Sequence, residues 1–439
     1  MLPGFRARGR VLTFAFLLAV ITYLDRICIS AAAPFIMEDL HLSMVQMSAV
    51  FSAFTLAYSL FEIPSGWLGD TRGPRRVLTR IVLWWSAFTM LTAAARGFFS
   101  LLSIRFLFGA GEAGAFPNVS RVFSRWFPLR ERGTANGVLF LGSRIGGMLS
   151  APVALLLIGG WGWRASFAVF GALGVAWAGA WYRWFRDEPG EHPAVDRDEL
   201  AWIEQDVRDR DARTPTPWRT LVTSRNLIAI CAMYFAFGYG LYFYFTWLPT
   251  FLIRVLGFSL FAGGLFAALP FLLAGLADLA GGWLTDRLAQ TRGLRAARCQ
   301  LGFGAFLTCA ALVFESTVVA APVARAVLLA FALASADLAL GACWAVPLDV
   351  AADHAGVVTG FMNTFGNLGG LVGPMVIGLA VDRWHSWTFP FYVTALVYAS
   401  GAIAWLAIDP DRKITSAASA PSPQGRRAGA AAVRTSGAS

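Results

Sequence analysis

Long apolar stretches separated by short charged segments make up most of the chain. Each stretch has roughly 18 to 25 residues, the length that an α-helix needs to cross about 30 Å of hydrocarbon. Membrane-spanning strands are shorter and alternate in polarity, so the pattern predicts helices. We predict twelve spans, at about residues 11–33, 46–68, 77–95, 100–121, 134–157, 163–184, 226–252, 258–283, 298–316, 322–346, 356–381 and 386–408.

The first apolar stretch is predicted to be a retained span. It runs from Val11 into Ala33 behind a basic segment, as a secretion signal would. It also contains Asp25 and Arg26 and has no small-residue cleavage site, which argues against a signal peptide.

One long hydrophilic segment divides the spans into six and six. This segment is rich in proline and charge, and the end of the chain is rich in Ala, Ser, Gly and Arg with little to bury. The domains that we predict are an N-terminal six-helix bundle at 1–185, a cytoplasmic linker at 186–225, a C-terminal six-helix bundle at 226–410 and a disordered cytoplasmic tail at 411–439.

The two bundles repeat one another in sequence. At a constant offset of 216 positions, the residues Glu62, Gly66, Trp67, Leu68 and Asp70 match Asp278, Gly282, Trp283, Leu284 and Asp286. Each set ends the second span of its bundle, before an arginine-rich loop. The predicted fold is therefore all-α, with two six-helix bundles related by a pseudo-twofold repeat. Such repeats place a solute site near the membrane midplane, between bundles that rock about it.

Composition supports a membrane protein and not a nucleic-acid-binding one. The chain is 57% hydrophobic and only 14% charged, with a mean hydropathy of +0.59. Its net charge of +10 comes from arginines in alternate connections between spans, as the positive-inside rule requires of cytoplasmic loops. We predict a multi-pass protein of the bacterial inner (plasma) membrane with both termini cytoplasmic, as a monomer without a nucleic-acid partner.

Arg26 is the first charged candidate within a span. A charge at bilayer depth costs about 2.5–3.5 kcal/mol on insertion scales, which makes such a residue a functional candidate. Helical spacing places Thr22, Tyr23, Arg26 and Ser30 on one stripe, a cation flanked by hydroxyl groups. A guanidinium binds a carboxylate through two parallel hydrogen bonds, so Arg26 suits an anion site. Alternatively, Arg26 neutralises a neighbouring Asp or Glu.

Several motifs resemble those of a known family. The segment from Gly66 to Arg76 resembles the loop signature of the major facilitator superfamily, and Gly282–Arg287 resembles its weaker second copy. Finer features resemble the anion:cation symporter family, namely Tyr23 to Arg26, Arg105 with Gly109 to Gly114, Trp247 to Pro249, and Asn363 to Gly370. The resemblance implies a secondary transporter, not an enzyme, that carries a small carboxylate such as a sugar acid. It also implies that a proton gradient drives transport, without a cofactor.

The resemblance assigns proton coupling to two carboxylates. Asp25 and Glu112 match the residues that load and release protons in family members, and Arg105 is expected to be their partner. Arg105 and Glu112 lie seven residues apart on one helical face, so a static salt bridge is the alternative.

Further polar residues within spans are candidates for substrate contact. They are Tyr23, Tyr58, Ser143, Arg144, Tyr239, Tyr242, Asn363 and Asn367. Tyrosines also form interfacial belts and asparagines also bridge helices, so each has a structural alternative. For Arg144, the alternative is contact with a carboxylate.

The loop motifs are predicted to act as a latch between the bundles. This gating set comprises Gly66, Asp70, Gly73, Arg75, Arg76, Asp286 and Arg287, which lie at helix ends where charge costs little. Glu62 and Asp278, two turns deeper, are expected to pair with loop arginines or to bury a proton.

Other patterns point away from further chemistry. Gly109 to Gly114 fits G-x-G-x-x-G, but it lies within an apolar helix and follows no strand, so close helix packing is the better interpretation. The five cysteines show no metal-ligand spacing, and we predict no metal site. The competing functions are export or exchange of an organic anion or drug-like metabolite and, more remotely, a membrane sensor or enzyme.

Overall fold

The computed structural model describes residues 6–204, 218–351 and 355–414. Within these ranges it leaves undescribed the side chains of residues 6, 63, 66–72, 129, 130, 132, 133, 218, 355 and 356. The described part therefore excludes nearly all of the predicted tail and part of the predicted linker. It also excludes the surroundings of Gly66 and the side chain of Asp70. The regular elements in the described ranges are all helical.

The N-terminal half contains six long helical segments, followed by a short helix in the linker. The bounds are α1 Arg6–Asp39, α2 Met44–Arg72, α3 Pro74–Thr92, α4 Phe98–Glu112, α5 Ala115–Trp126, α6 Leu129–Trp184 and α7 Arg197–Glu204. The C-terminal half follows with α8 Trp218–Val222, α9 Arg225–Thr246, α10 Leu248–Thr250, α11 Leu260–Arg292, α12 Leu301–Val318, α13 Pro322–Asp337, α14 Leu340–Val350, α15 Ala355–Trp384 and α16 Thr388–Ala407.

These helices supply the twelve predicted spans. In the described ranges, ten segments are long and apolar enough to cross a membrane. One of them, Thr134–Trp184, is two spans long and breaks at Gly162, whose φ of +79° is non-helical. The remaining span is α3, which begins with Pro74, Arg75 and Arg76 and packs against α4 and α6. The predicted all-α, two-bundle fold is confirmed.

The fourth span of each half is broken, where the sequence predicts continuous helices. In the N-terminal half, α4 ends at Glu112 and α5 begins after Gly114, which has a φ of +90°. A Cβ at Gly114 would lie 2.3 Å from the Ser65 Cβ, so only glycine fits there. In the C-terminal half, α13 ends at Asp337 and α14 follows at Leu340. Each break therefore follows an acidic residue.

Glycines allow the helices α9 and α15 to approach closely. A Cβ at Gly238 would lie 2.0 Å from the Gly366 carbonyl oxygen, and one at Gly373 would lie 2.7 Å from the Tyr239 carbonyl oxygen. A Cβ at Gly370 would meet the Tyr242 ring at 2.4 Å. The glycines of α9 and α15 therefore serve close helix packing.

Hydrogen bonds join the two halves at the predicted periplasmic end. The Asp382 carboxylate, near the end of α15, accepts from the backbone N–H of Met44 at 3.1 Å and of Val45 at 2.8 Å. Ser48 and Ser52 of α2 donate to carbonyl oxygens of α15 at 2.7 and 2.9 Å. The first turns of α2 are thus tied to α15.

The linker helix α7 is fastened to the N-terminal half. Glu199 Oε1 accepts from the backbone N–H of Arg8 at 3.1 Å and from its Nε at 3.2 Å, and both side chains are buried. The Arg8 guanidinium also pairs with Glu131 at the start of α6. These contacts tie α1, α6 and α7 together.

Candidate functional site

Arg26 pairs with Glu112 inside the N-terminal half. The Arg26 Nε donates to Glu112 Oε1 at 3.0 Å, and Nη2 reaches the same oxygen. The Glu112 side chain is 1% exposed and that of Arg26 is 11% exposed. The second carboxylate oxygen, Glu112 Oε2, has no hydrogen-bond partner among the described residues. In this conformation Arg26 thus neutralises an acid, which was the alternative to direct substrate contact.

Aromatic rings surround the Arg26 guanidinium. Its Cζ lies 5.1 Å from the Tyr23 ring centroid, 5.1 Å from that of Phe54 and 4.9 Å from that of Tyr58. Cations are attracted to ring faces at these distances. The candidate residues Tyr23 and Tyr58 therefore lie beside the predicted anion clamp.

The hydroxyl groups predicted to flank Arg26 are not available to a solute. Thr22 donates to the Leu18 carbonyl at 2.7 Å, and Ser30 donates to the Ile27 carbonyl at 2.8 Å. Both side chains are buried and satisfied by their own helix. The prediction that hydroxyl groups flank Arg26 was therefore wrong for Thr22 and Ser30, because an apolar setting favours bonding to the nearest backbone carbonyl.

Asp25 is buried on the other side of α1. Its Oδ2 accepts from the Trp85 indole N–H at 3.1 Å, and its Oδ1 has no hydrogen-bond partner among the described residues. The residue is 1% exposed. Sequence reasoning missed Trp85, although it is the indole that orients this carboxylate.

Arg105 lies among aromatic rings. The prediction that it pairs with Asp25 or Glu112 is not met in this conformation. Its Cζ is 4.2 Å from the Phe108 ring centroid and 5.4 Å from that of Phe54. Its Nε and Nη1 have no hydrogen-bond partner, and it forms no ion pair, among the described residues. Glu112 pairs instead with Arg26 of α1.

A chain of rings links this cluster to the C-terminal half. The Tyr23 ring meets Phe245 at 6.0 Å, and Phe245 meets Tyr242 at 5.5 Å. The Tyr242 hydroxyl reaches Asn367 Oδ1 at 3.5 Å, at the limit of a hydrogen bond. The structure thus brings Tyr242 and Asn367 together facing the Arg26 cluster.

Two other substrate candidates lie apart from this arrangement. The Tyr239 side chain is 4% exposed, and its hydroxyl has no hydrogen-bond partner within the described ranges. Its ring contacts Phe235 of its own helix, at a centroid distance of 6.3 Å. Asn363 is half-buried on α15. No contact described in the structure connects either residue to Arg26.

A second charged cluster joins the two halves. Arg144 of α6 reaches Asp278 Oδ2 of α11 through Nη2 at 2.7 Å and Asp337 Oδ2 through Nη1 at 3.0 Å. Arg144 thus contacts carboxylates, and the expectation that Asp278 pairs with a loop arginine was wrong. The neighbouring Ser143 donates to the Leu139 carbonyl of its own helix at 3.4 Å. Sequence reasoning missed Asp337, although a carboxylate within span ten meets the rule that singled out Arg26.

The described loop residues of the gating set contact their own half. The backbone N–H of Arg75 donates to Asp187 at 2.8 Å, and its guanidinium donates to the Tyr182 carbonyl at 2.6 and 3.0 Å. Gly73, with a φ of +82°, packs against Asp187, and Arg76 is exposed. In the C-terminal half, Arg287 covers the Trp283 ring at 5.2 Å, and Asp286 is exposed. In this conformation Arg75 and Arg287 do not form the predicted latch between halves.

The G-x-G-x-x-G sequence serves helix packing, as predicted. A Cβ at Gly109 would lie 2.4 Å from the Phe54 carbonyl oxygen, and one at Gly111 would lie 1.7 Å from the Trp84 ring. These glycines hold α4 against α2 and α3, and thereby position Glu112.

Comparisons with known proteins agree with this architecture. Residues 15–374 match the model of the Major Facilitator Superfamily. The chain is 36% identical over 408 residues to a protein of Cupriavidus necator named probable sulfoacetate transporter, with 92% of this chain and 94% of that protein covered. It is 34% identical to the probable galactarate/D-glucarate transporter of Bacillus subtilis, with 86% of this chain and 87% of that protein covered. It is 30% identical to the hexuronate transporter of the same organism, with 90% of this chain and 93% of that protein covered.

Solved structures show the same fold. A bacterial homologue of the human lysosomal transporter Spinster, solved inward-facing and unoccupied, superposes with a TM-score of 0.72 over 92% of this chain and 95% of that chain, at 18% identity. A D-xylose-proton symporter superposes with a TM-score of 0.74 over 94% of this chain and 100% of that chain, at 13% identity.

Proposed function

Because the chain belongs to the Major Facilitator Superfamily, and is thus a multi-pass membrane transporter and not an enzyme, we propose that it carries a small organic anion together with a proton. The names of its relatives support an organic acid as the solute, with a carboxylate or sulfonate group. The observation that carries the proposal is the buried ion pair between Arg26 and Glu112.

The ion pair links anion binding to protonation through competition. Arg26 is the cation suited to hold an anion, but Glu112 occupies its donors. When Glu112 takes up a proton, its negative charge is lost and the guanidinium becomes free to bind a carboxylate or sulfonate in two-pronged geometry. A proton on Glu112 and one carboxylate or sulfonate group on Arg26 together leave the net charge of the cluster unchanged, so both can be carried across.

The surrounding residues fit this role. The rings of Tyr23, Phe54 and Tyr58 exclude water from the guanidinium, which strengthens its attraction for an anion. Asp25, fixed by Trp85, offers a second carboxylate for the proton, and Arg105 adds a cation that lowers the cost of a bound anion. Tyr242 and Asn367 can hydrogen-bond the remainder of the solute from the C-terminal half.

Uptake into proteoliposomes tests the proposal. Labelled sulfoacetate, glucarate and glucuronate are presented with an imposed pH gradient, acidic outside, and with the reversed gradient. We expect at least one acid to accumulate only when protons flow inward. Accumulation driven by the reversed gradient, with protons flowing outward, would instead indicate export or exchange. Uptake that is unaffected by either gradient would refute proton coupling.

Glu112→Gln isolates the coupling step. The neutral amide mimics the protonated acid, so Arg26 stays free for the anion while no proton is carried. We expect gradient-driven accumulation to be lost while exchange of labelled for unlabelled solute continues. Glu38→Gln is the control, because Glu38 pairs with Arg254 at an exposed position. If Glu112→Gln still accumulates the solute, Glu112 does not carry the coupled proton.

A further inference from the structure

The cluster of Arg144, Asp278 and Asp337 holds more acid than base. One guanidinium faces two carboxylates, at 2.7 and 3.0 Å. The second cluster therefore carries one negative charge in excess.

No other cation among the described residues offsets this charge. The remaining titratable side chains around Asp337 come from four further helices and are Tyr234 and Tyr244 of α9, Cys309 of α12, Cys343 of α14 and Tyr398 of α16. Phenols and thiols are neutral at physiological pH. Tyr23 of α1 faces Arg144 from the other side and is likewise uncharged.

Asp337 is poorly solvated as an anion. The residue is 0% exposed, and its Oδ1 has no hydrogen-bond partner within the described ranges. Its Oδ2 lies at ion-pair distance from Arg144 but lacks hydrogen-bond geometry. The Asp278 Oδ1 is also buried without a partner there. An uncompensated carboxylate in such a setting costs several kcal/mol, whereas a protonated one is neutral.

We propose that Asp278 and Asp337 together bind one proton, at a second site separate from Glu112. A carboxylate oxygen of the pair gains the proton from water, and the remaining negative charge is matched by Arg144. The excess charge is thereby removed without any other ion.

The position of the cluster connects this proton to the movement of the halves. Arg144 belongs to the N-terminal half, and both acids belong to the C-terminal half. If the halves part at this level, Arg144 withdraws and both carboxylates lose their cation. The acids then take up a further proton, so protonation favours separation and deprotonation favours contact.

Infrared difference spectroscopy of the purified, solute-free protein tests the assignment directly. We expect the wild type at neutral pH to show a protonated-carboxyl C=O band that is lost on alkaline titration. Asp337→Asn and Asp278→Asn should each remove the same component of this band, because the remaining acid pairs with Arg144 and ionises. The double variant should remove no more than either single variant. Asp349→Asn is the matched control, because Asp349 pairs with its own arginine, Arg298, at 2.8 Å and leaves no excess charge.

Two further measurements keep the outcome decisive. Arg144→Gln leaves two acids without a cation and should about double the component. Replacing choline by sodium in the buffer should leave the spectrum unchanged, since the proposed ligand is a proton. An unchanged band in both aspartate variants, or a carboxylate stretch that shifts with sodium, would overturn the proposal. Since no solute is present, failure of the transport assay would not alter this result.

Discussion

At the scale of single residues, the proposed mechanism requires Arg26 to have two partners in turn, Glu112 and the solute. The guanidinium contacts Glu112 and three aromatic rings, so it is neither solvated nor free. Removing one partner of a buried charge pair costs about 2–5 kcal/mol, because the other charge is left uncompensated. The proposed mechanism therefore expects a solute anion to replace Glu112 only when Glu112 is neutral.

Arg26→Gln should weaken solute binding strongly. The amide keeps hydrogen-bonding capacity but has no charge and no two-pronged fork, so we expect affinity to fall at least 30-fold, which corresponds to about 2 kcal/mol. Calorimetric titration with the acid identified in the uptake assay measures this. Arg164→Gln, at an exposed arginine that pairs with Asp39, should bind as the wild type does. Equal affinity in Arg26→Gln would rule out the anion clamp.

Gly109 provides a residue-scale test of packing. Alanine there would place a Cβ 2.4 Å from a backbone oxygen of α2, which cannot move aside as a flexible side chain can. We expect Gly109→Ala to destabilise the protein by about 1–3 kcal/mol. Gly304→Ala, in a helix with nothing within 4 Å of the new Cβ, should be neutral or slightly stabilising. Thermal unfolding in detergent compares the two, and equal midpoints would contradict the packing argument.

At the scale of elements, the linker is held by specific contacts and not by chain length alone. Helix α7 is tied to Arg8 through Glu199. The segment before α7 is held by hydrogen bonds of the His192 ring. The backbone N–H of Ala194 donates to His192 Nδ1 at 3.1 Å, which leaves Nε2 to donate to the Trp184 carbonyl at 3.0 Å. This pattern requires a neutral imidazole, because a protonated ring could not accept from Ala194.

Docking of the linker should consequently depend on pH. Burial lowers the pKa of His192 below its ordinary value. His192 binds its proton more tightly when its segment is undocked. Docking is therefore strongest above about pH 6.5, the ordinary pKa of histidine, and weakens as the pH falls through the lower pKa of the docked state. Hydrogen exchange of residues 189–204, compared at each pH with the same segment of His192→Gln, measures this. A constant ratio between the two proteins would contradict it.

At the scale of the whole molecule, hydrogen bonds between side chains and backbone groups join the two halves at one end. Asp382 caps the first two N–H groups of α2, and two serines of α2 bond to carbonyls of α15. A carboxylate at a helix N-terminus also interacts favourably with the helix dipole. Opening this end requires all of these bonds to break.

Asp382→Asn should shift the protein toward opening of that end. The amide has one acceptor oxygen in place of two and no charge, so we expect a loss of about 1–2 kcal/mol and a 5- to 30-fold shift in population. Spin labels at Arg96 and Ala321, in loops predicted at the same end of opposite halves, report the distance. Asp39→Asn is the control, because Asp39 contacts Trp163 and Arg164 within the N-terminal half. Identical distance distributions in the two variants would refute the cap as a conformational determinant.

Reading the chain alone was enough to predict the helical fold, the two repeated bundles and the placement of Arg26, Asp25 and Glu112 within spans. These follow from hydrophobic length and from the cost of charge in lipid, which act along the chain and need no knowledge of neighbours. The same rule would have identified Asp337 had it been applied to span ten.

Only the tertiary structure decided which charges meet. Arg26 pairs with Glu112 across 86 positions, Trp85 donates to Asp25 across 60, and Arg144 reaches two acids of the opposite half. Periodicity places a side chain on a face of its helix, but the neighbour on that face depends on how helices cross and rotate against each other. Glycines at which an added Cβ would lie only about 2–3 Å from a neighbouring helix allow those crossings here, so partners that are far apart in sequence become defined only once the helices have packed.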